Sequence, residues 1–278
     1  MHSILRQVWT VAKVAFWSVL VVLGIASTAI AIQSFSGYTL TDTHSSRKHD
    51  NCTQSNHNQS DSCNCTTDRL ALIQPGKHIV RPLPNPVVVL GMPKTGTSTI
   101  ASFFRGAGYN TSHWVCGKKG YCGKCMPDAV SLGHPPLTSC GEYDVWAQMD
   151  LTLPDKGLCH MPQVQYLQDI HDEAPMATFI MNTRNVTRWI KSMRGWSSLD
   201  KRFVKCSKAT GLNASDDLSL ERYIVDHVRM VRDFVNRNPT HALVEVDIED
   251  PNAGCIMSSL FKTDSKFWTH HNQKKPKG

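Results

Sequence analysis

No patch of interleaved aromatic and basic residues of the kind that grips nucleic acid occurs in this chain, so no nucleic-acid partner is expected. The formal charge of +7, from 30 Lys and Arg against 23 Asp and Glu, therefore suits small anionic ligands, and 41% hydrophobic residues suffice for a globular body. Charge is missing altogether from residues 14–32, VAFWSVLVVLGIASTAIAI. At about 1.5 Å per residue that run is long enough to cross a bilayer core. Large apolar residues are scarce from Gln33 to about Thr67, which excludes a packed core there and leaves a flexible stem. Residues 110–160 have little hydrophobic period and many Gly, Pro and Cys, as an insertion on a regular scaffold would.

Arg6 and Lys13 precede the uncharged run and Asp42 is the first charge beyond it, so the positive-inside bias keeps residues 1–13 cytosolic and sends the rest into the lumen. A cleaved signal peptide ending at Ala29-Ile30-Ala31 is the competing reading, but the run exceeds the usual apolar core of about 7 to 15 residues. Both readings place the body of the chain in the secretory pathway; the expectation is a single-pass type II Golgi membrane protein with its catalytic part lumenal. The stem carries the N-x-[ST] acceptors Asn51, Asn58 and Asn64, and others follow at Asn110, Asn185 and Asn213. Ten cysteines in an oxidising compartment point to disulfides. Cys116, Cys122, Cys125, Cys140 and Cys159 cluster in the insertion, where four thiolates would also satisfy a closed zinc site. The oxidising compartment and the even total favour bridges, and no metal is expected.

The chain is organised around VVVLGMPKTGTST, Val87 to Thr99. Four apolar residues, three of them β-branched, run into a turn with Gly91, Pro93 and Gly96, and Thr97, Ser98 and Thr99 open a helix. In a strand, loop and helix of this kind, backbone N–H groups and the helix dipole converge on one anion. Gly96 permits close approach, and Lys94 supplies a mobile positive charge. A nucleotide-hydrolase loop has its lysine directly after the second glycine. Here that position is Thr97, and the lysine stands two residues before Gly96.

Further along, Thr97–Ala107 reads as a helix, Tyr143–Met149 as a short strand, Pro162–Glu173 as a helix, Met176–Met181 as a buried strand and Val186–Trp196 as a helix. Leu218–Asn236 is the longest amphipathic helix, and His241–Ile248 returns as a strand. This alternation predicts an α/β domain over residues 79–278, a mostly parallel sheet with helices on both faces, behind an anchor at 14–32 and a stem at 33–78. Ligands of such sheets bind beyond the carboxyl ends of the strands. Arg184 lies at that edge, and Ser192 follows on the next helix. A guanidinium fork and a hydroxyl there are suited to a second phosphate. A glycan on Asn185 would obstruct such a site, so that sequon is expected to stay unmodified.

PKTGTS with Arg184-x7-Ser192 resembles the two nucleotide motifs of sulfotransferases that use 3′-phosphoadenosine 5′-phosphosulfate (PAPS). Phe179 to Met193 and His241 to Gly254 are similar to a divergent, algal-type branch of the membrane-anchored members, and the resemblance spans roughly residues 86–272. It implies PAPS held by Pro93, Lys94, Thr95, Gly96, Thr97 and Ser98 at its 5′ end and by Arg184 and Ser192 at its 3′-phosphate. It also implies a hydroxyl-bearing acceptor, carbohydrate above all. Lys94 would meet charge on the leaving phosphate oxygen. A general base is required as well. His113, Glu142, Asp144 and Asp150 lie between the two motifs, with Asp150 and His113 foremost. Two rivals remain: a kinase, for which Leu243 to Asp247 has nearly the form of an acid-terminated strand, and a lumenal binding module without turnover.

Overall fold

A computed structural model describes residues 83–269; the anchor and stem segments, the stem sequons and the start of the expected domain at 79 lie outside the described residues. Five strands form one sheet: β1 (Val87–Val89), β2 (Thr111–Ser112), β3 (Val145–Trp146), β6 (Thr178–Thr183) and β7 (Ala242–Asp247), in the order β2-β3-β1-β6-β7. Every pairing is parallel. A separate antiparallel hairpin, β4 (Leu151–Leu153) with β5 (Leu158–His160), interrupts the series.

The helices are α1 (Thr97–Gly106), α2 (Cys122–Ser131), α3 (Pro162–Gln165), α4 (Leu167–Glu173), α5 (Val186–Gly195), α6 (Leu199–Lys205), α7 (Ser207–Thr210), α8 (Asp217–Arg237) and α9 (Ala253–Phe261). Successive strand side chains point to opposite faces, and both faces are apolar. Val87, Val89, Ile180 and Val244 pack with Phe103 and Phe104 of α1 and with Met257 and Leu260 of α9. Val88, Phe179, Met181 and Leu243 pack with Ile170 of α4 and with Val231 and Val235 of α8. This is why the strands read as unbroken hydrophobic runs: a sheet covered on both sides needs no polar alternation. In α8, Leu220, Ile224, His227, Val231 and Val235 recur at helical spacing and are buried, and the Asp216 carboxylate caps the helix by accepting from the Ser219 amide at 2.9 Å.

Several sequence-based bounds change. The helix expected over 162–173 breaks at Tyr166 into α3 and α4, and the strand expected at 176–181 is shifted to 178–183. The insertion is more regular than its composition suggested, holding α2, the edge strand β2 and the β4–β5 hairpin. All five clustered cysteines are bridged, as Cys116–Cys122, Cys125–Cys140 and Cys159–Cys206. The thiols considered for zinc are therefore consumed in covalent pairs. Among the described residues no helix is long and apolar enough to cross a membrane.

Candidate active site

Parallel strands carry their carboxyl ends to one edge, and the sequence puts polar residues there. Gly91–Gly96 follows β1, His113 follows β2, Gln148 and Asp150 follow β3, and Arg184 follows β6. Glu142 and Asp144 precede β3 and stand at the opposite edge, where the Asp144 carboxylate accepts from the Asn110 amide at 2.9 Å. Of the four candidates, the loop's edge thus holds His113 and Asp150.

The loop enters α1 through Gly96, whose φ of 98° is left-handed. A β-carbon there would also lie 2.5 Å from Ile248, so glycine is required twice over. Among the described residues the amides of Gly96, Thr97 and Ser98 have no backbone acceptor, whereas Thr99 and Ile100 both donate to the Gly96 carbonyl. Three donors consequently open at the amino end of a ten-residue helix. Lys94 also holds a left-handed φ, 73°, unusual for a residue with a side chain. Its ammonium lies 3.9 Å from the centroid of the Trp196 ring.

The remaining loop side chains divide between two tasks. Thr95 is buried; its hydroxyl donates to the Met92 carbonyl at 2.6 Å and accepts from the Asn182 amide at 2.7 Å, so it braces the loop from within. Pro93 contributes its carbonyl to the indole N–H of Trp189 at 2.9 Å. The Thr97 hydroxyl donates to Gln148 Oε1 at 3.2 Å, and His113 Nε2 lies 3.5 Å from the Thr97 hydroxyl and 3.4 Å from that of Ser98.

Both candidate bases are perturbed by burial. Asp150 is wholly enclosed, and desolvation pushes its carboxyl up to about 6 against the opposing pull of a Gln148 hydrogen bond and of the charges on Arg202 and Lys94. Burial, assisted by the Arg105 charge, lowers His113 to about 4, so its ring is neutral at physiological pH. Tyr223 is pushed up by burial and by the Asp150 charge, and its phenol donates to Met92 Sδ at 3.7 Å, just before the loop's Pro93.

Arg184 touches the loop directly: Nη1 donates to the Lys94 carbonyl at 3.2 Å, and Nη2 pairs with Glu249 at 2.8 Å. Its Nε is buried with no hydrogen-bond partner. Arg188 reaches the same carboxylate at 3.4 Å. Burial raises Glu249, but the hydrogen bond and charge of Arg184 outweigh it and hold the carboxyl below its usual range. Ser192 is half-buried on α5, three residues after Trp189 and on the same helix face. The Asn185 side chain caps α5 by accepting from the Arg188 amide at 3.1 Å, a structural employment for the asparagine whose sequon was expected to stay unmodified.

Sequence reasoning missed Asn182, Trp189, Gln148, Trp196, Arg202 and Glu249. Asn182 left a signal, being the one amide in a strand whose other interior residues, Phe179, Ile180 and Met181, are apolar. Gln148 was recoverable from its place just beyond β3.

Fold and site together define a parallel α/β domain whose donors and cation converge at the carboxyl edge of its sheet. Residues 86–202 match the family model described as a sulfotransferase domain, a match that supports a sulfotransferase family for this chain. It supports sulfuryl transfer as the chemistry, which implies a sulfonate donor and a hydroxyl-bearing acceptor. No curated protein matches the chain.

Proposed function

We propose that the chain transfers a sulfuryl group from PAPS to a hydroxyl or amine on a carbohydrate acceptor in the lumen of the secretory pathway. The observation that carries the donor assignment is the loop: open amides at Gly96, Thr97 and Ser98 beside the Lys94 ammonium fit a 5′-phosphosulfate. At the other end, Arg184 offers a buried Nε without a partner, and Ser192 follows on α5. Glu249 already neutralises part of that guanidinium, so the exposed Arg188 is the additional cation for a 3′-phosphate.

When bound, PAPS supplies the sulfuryl group, whose bond to the 5′-phosphate breaks as the acceptor oxygen bonds to sulfur. Lys94 meets the negative charge left on the phosphate oxygen, and the three amides hold its neighbouring oxygens. Asp150, ionised above about 6, takes the acceptor proton. His113, neutral and close to the Thr97 and Ser98 hydroxyls, orients them and is the alternative base.

The kinase alternative loses ground on topology. Asp247 ends β7, which β6 separates from β1, and its carboxylate is engaged by the Glu249 amide at 2.9 Å. Residues 14–32 as a type II anchor, 33–78 as stem, 79–278 as catalytic domain and a Golgi location complete the proposal. They are supported by charge asymmetry around the apolar run and by the sequons. Radiolabelled PAPS supplied to the full-length protein with glycans, tyrosine peptides and small alcohols tests the reaction. Label on glycans is the expected result; discrimination among nucleotides without turnover on any acceptor would leave a binding module. Protease protection and glycosidase sensitivity in sealed microsomes test the topology, and an unglycosylated, protease-accessible carboxyl terminus would refute it.

A further inference from the structure

The carbonyl oxygens of the loop from Met92 to Thr95 are all occupied. Met92 accepts from the Thr95 hydroxyl, Pro93 from the Trp189 indole at 2.9 Å, Lys94 from Arg184 at 3.2 Å and Thr95 from the Asn182 amide at 2.9 Å. Just upstream, His227 Nε2 lies 2.6 Å from the Leu90 carbonyl. Three consecutive carbonyls are thus tied by three side chains of one short segment, the end of β6 and the start of α5. In a trans peptide the C=O and the next N–H point in opposite directions. Holding the Pro93 and Thr95 carbonyls from one side therefore turns the N–H groups of Lys94 and Gly96 to the other.

Asn182 also bears a cost that packing alone does not explain. Its side chain is fully buried, and its Oδ1 has no hydrogen-bond partner. That side chain fills the space where a β-carbon on Gly91 would stand, 2.0 Å from Oδ1. An apolar residue of similar size would fill the same space without an orphaned acceptor. The amide orientation is fixed, because Nδ2 faces both the carbonyl and the hydroxyl oxygen of Thr95 and the hydroxyl proton is committed to Met92. What the amide adds over an apolar side chain is its grip on the loop.

We propose that Asn182 and Trp189 are positioning residues of the sulfuryl-transfer site, holding the loop carbonyls back so that its amides stay aimed at the 5′-phosphosulfate. The inference rests on the PAPS reading and identifies which residues, touching no ligand themselves, set the geometry of its 5′ half. Arg184 does the same for Lys94 and so joins the two halves of the site.

Calorimetry on the full-length protein with adenosine 3′,5′-bisphosphate and adenosine 3′-phosphate tests it, using wild type, Asn182→Leu and Trp189→Phe. Each variant should bind the bisphosphate about tenfold more weakly, as for loss of one to two oriented hydrogen bonds, while affinity for the 3′-monophosphate changes by less than about twofold. The kcat should fall, with the acceptor KM unchanged. Should Asn182→Leu fail to fold, as thermal unfolding will show, Trp189→Phe carries the test. Equal losses for both nucleotides, or no loss for the bisphosphate, would overturn the assignment. A wild type that binds neither nucleotide would overturn the PAPS reading itself, and the inference with it.

Discussion

The ammonium of Lys94 sits over the ring of Trp196, 3.9 Å from its centroid, although that residue is 55% exposed. Trp196 is followed by Ser197 and Ser198, both with positive φ, so a strained turn presents the ring. A flexible side chain is thereby held at one place beside the loop. Lys94→Ala should lower kcat by on the order of 10², with a smaller effect on nucleotide affinity, since the charge it meets develops in the transition state. Trp196→Ala keeps the charge but releases it, and single-turnover rates should fall by about two- to fivefold, the equivalent of an exposed cation–π contact.

Arg184→Ala should weaken binding of adenosine 3′,5′-bisphosphate by about 2–3 kcal/mol, as for loss of a charge-assisted contact. Because the same guanidinium holds the Lys94 carbonyl, adenosine 5′-phosphate should also lose about 1 kcal/mol. Calorimetry with both ligands measures the difference. A wild type indifferent to the 3′-phosphate, or one that prefers ATP with magnesium, would return the assignment to the kinase.

The pH dependence of kcat/KM distinguishes the two bases, since a base must be deprotonated to act. With Asp150 as base, activity should rise with pH around 6, and Asp150→Asn should abolish that limb. A limb near 4 that vanishes in His113→Ala would assign the role to His113 instead.

Asp150 also makes stability depend on pH. Its folded value is raised, to about 6 from 3.8, so folding favours the protonated form; the benefit is complete below about 4 and is lost as pH rises through about 6. Relative to Asp150→Asn, the wild type should therefore become less stable between pH 4 and 7, by about 3 kcal/mol for two units of displacement. Parallel urea titrations of the two proteins isolate this group. A constant difference across that window would show the carboxyl to be unperturbed.

The Cys159–Cys206 bridge ties β5 to the end of α6, the helix that carries Arg202; Arg202 Nη1 donates to the Thr152 carbonyl at 2.8 Å. Cys206→Ser should cost about 2–4 kcal/mol of stability in the loop-closure model. Denaturant midpoints with and without reductant should converge in that variant more than in wild type.

The loop could be read from the sequence because its signals are local: a buried β-branched strand, two glycines and a run of hydroxyls in fixed order. The long helix α8 was equally plain from its period. By contrast α2 was hidden, since Gly123 and Pro127 lie within it and its cysteines carry no clear period; Gly123 is needed because a β-carbon would lie 2.5 Å from the Met149 carbonyl. The partner of Arg184 was invisible for another reason. Glu249 is brought to it only by the pairing of Thr183 with Asp247 across neighbouring strands, and register is not written in either strand alone. Asp150 was singled out by position, but charges that act on it, those of Arg202 and Lys94, are brought near it from distant parts of the chain.

The pairing of β6 with β7 extends over six residues, from Thr178 opposite Ala242 to Thr183 opposite Asp247. β6 lies within the stretch that matches the family model, whereas β7, α8 and α9 all come after it. On the ribosome, the strand that supplies Asn182 and leads into Arg184 has one bare edge and two half-covered faces, with α1 and α4 but not α8 and α9 in place, until the chain has been made well past residue 247. The anion loop is written early and assembled late, so a nascent chain halted after the matched stretch would carry every residue of the donor site without the walls that hold them in place.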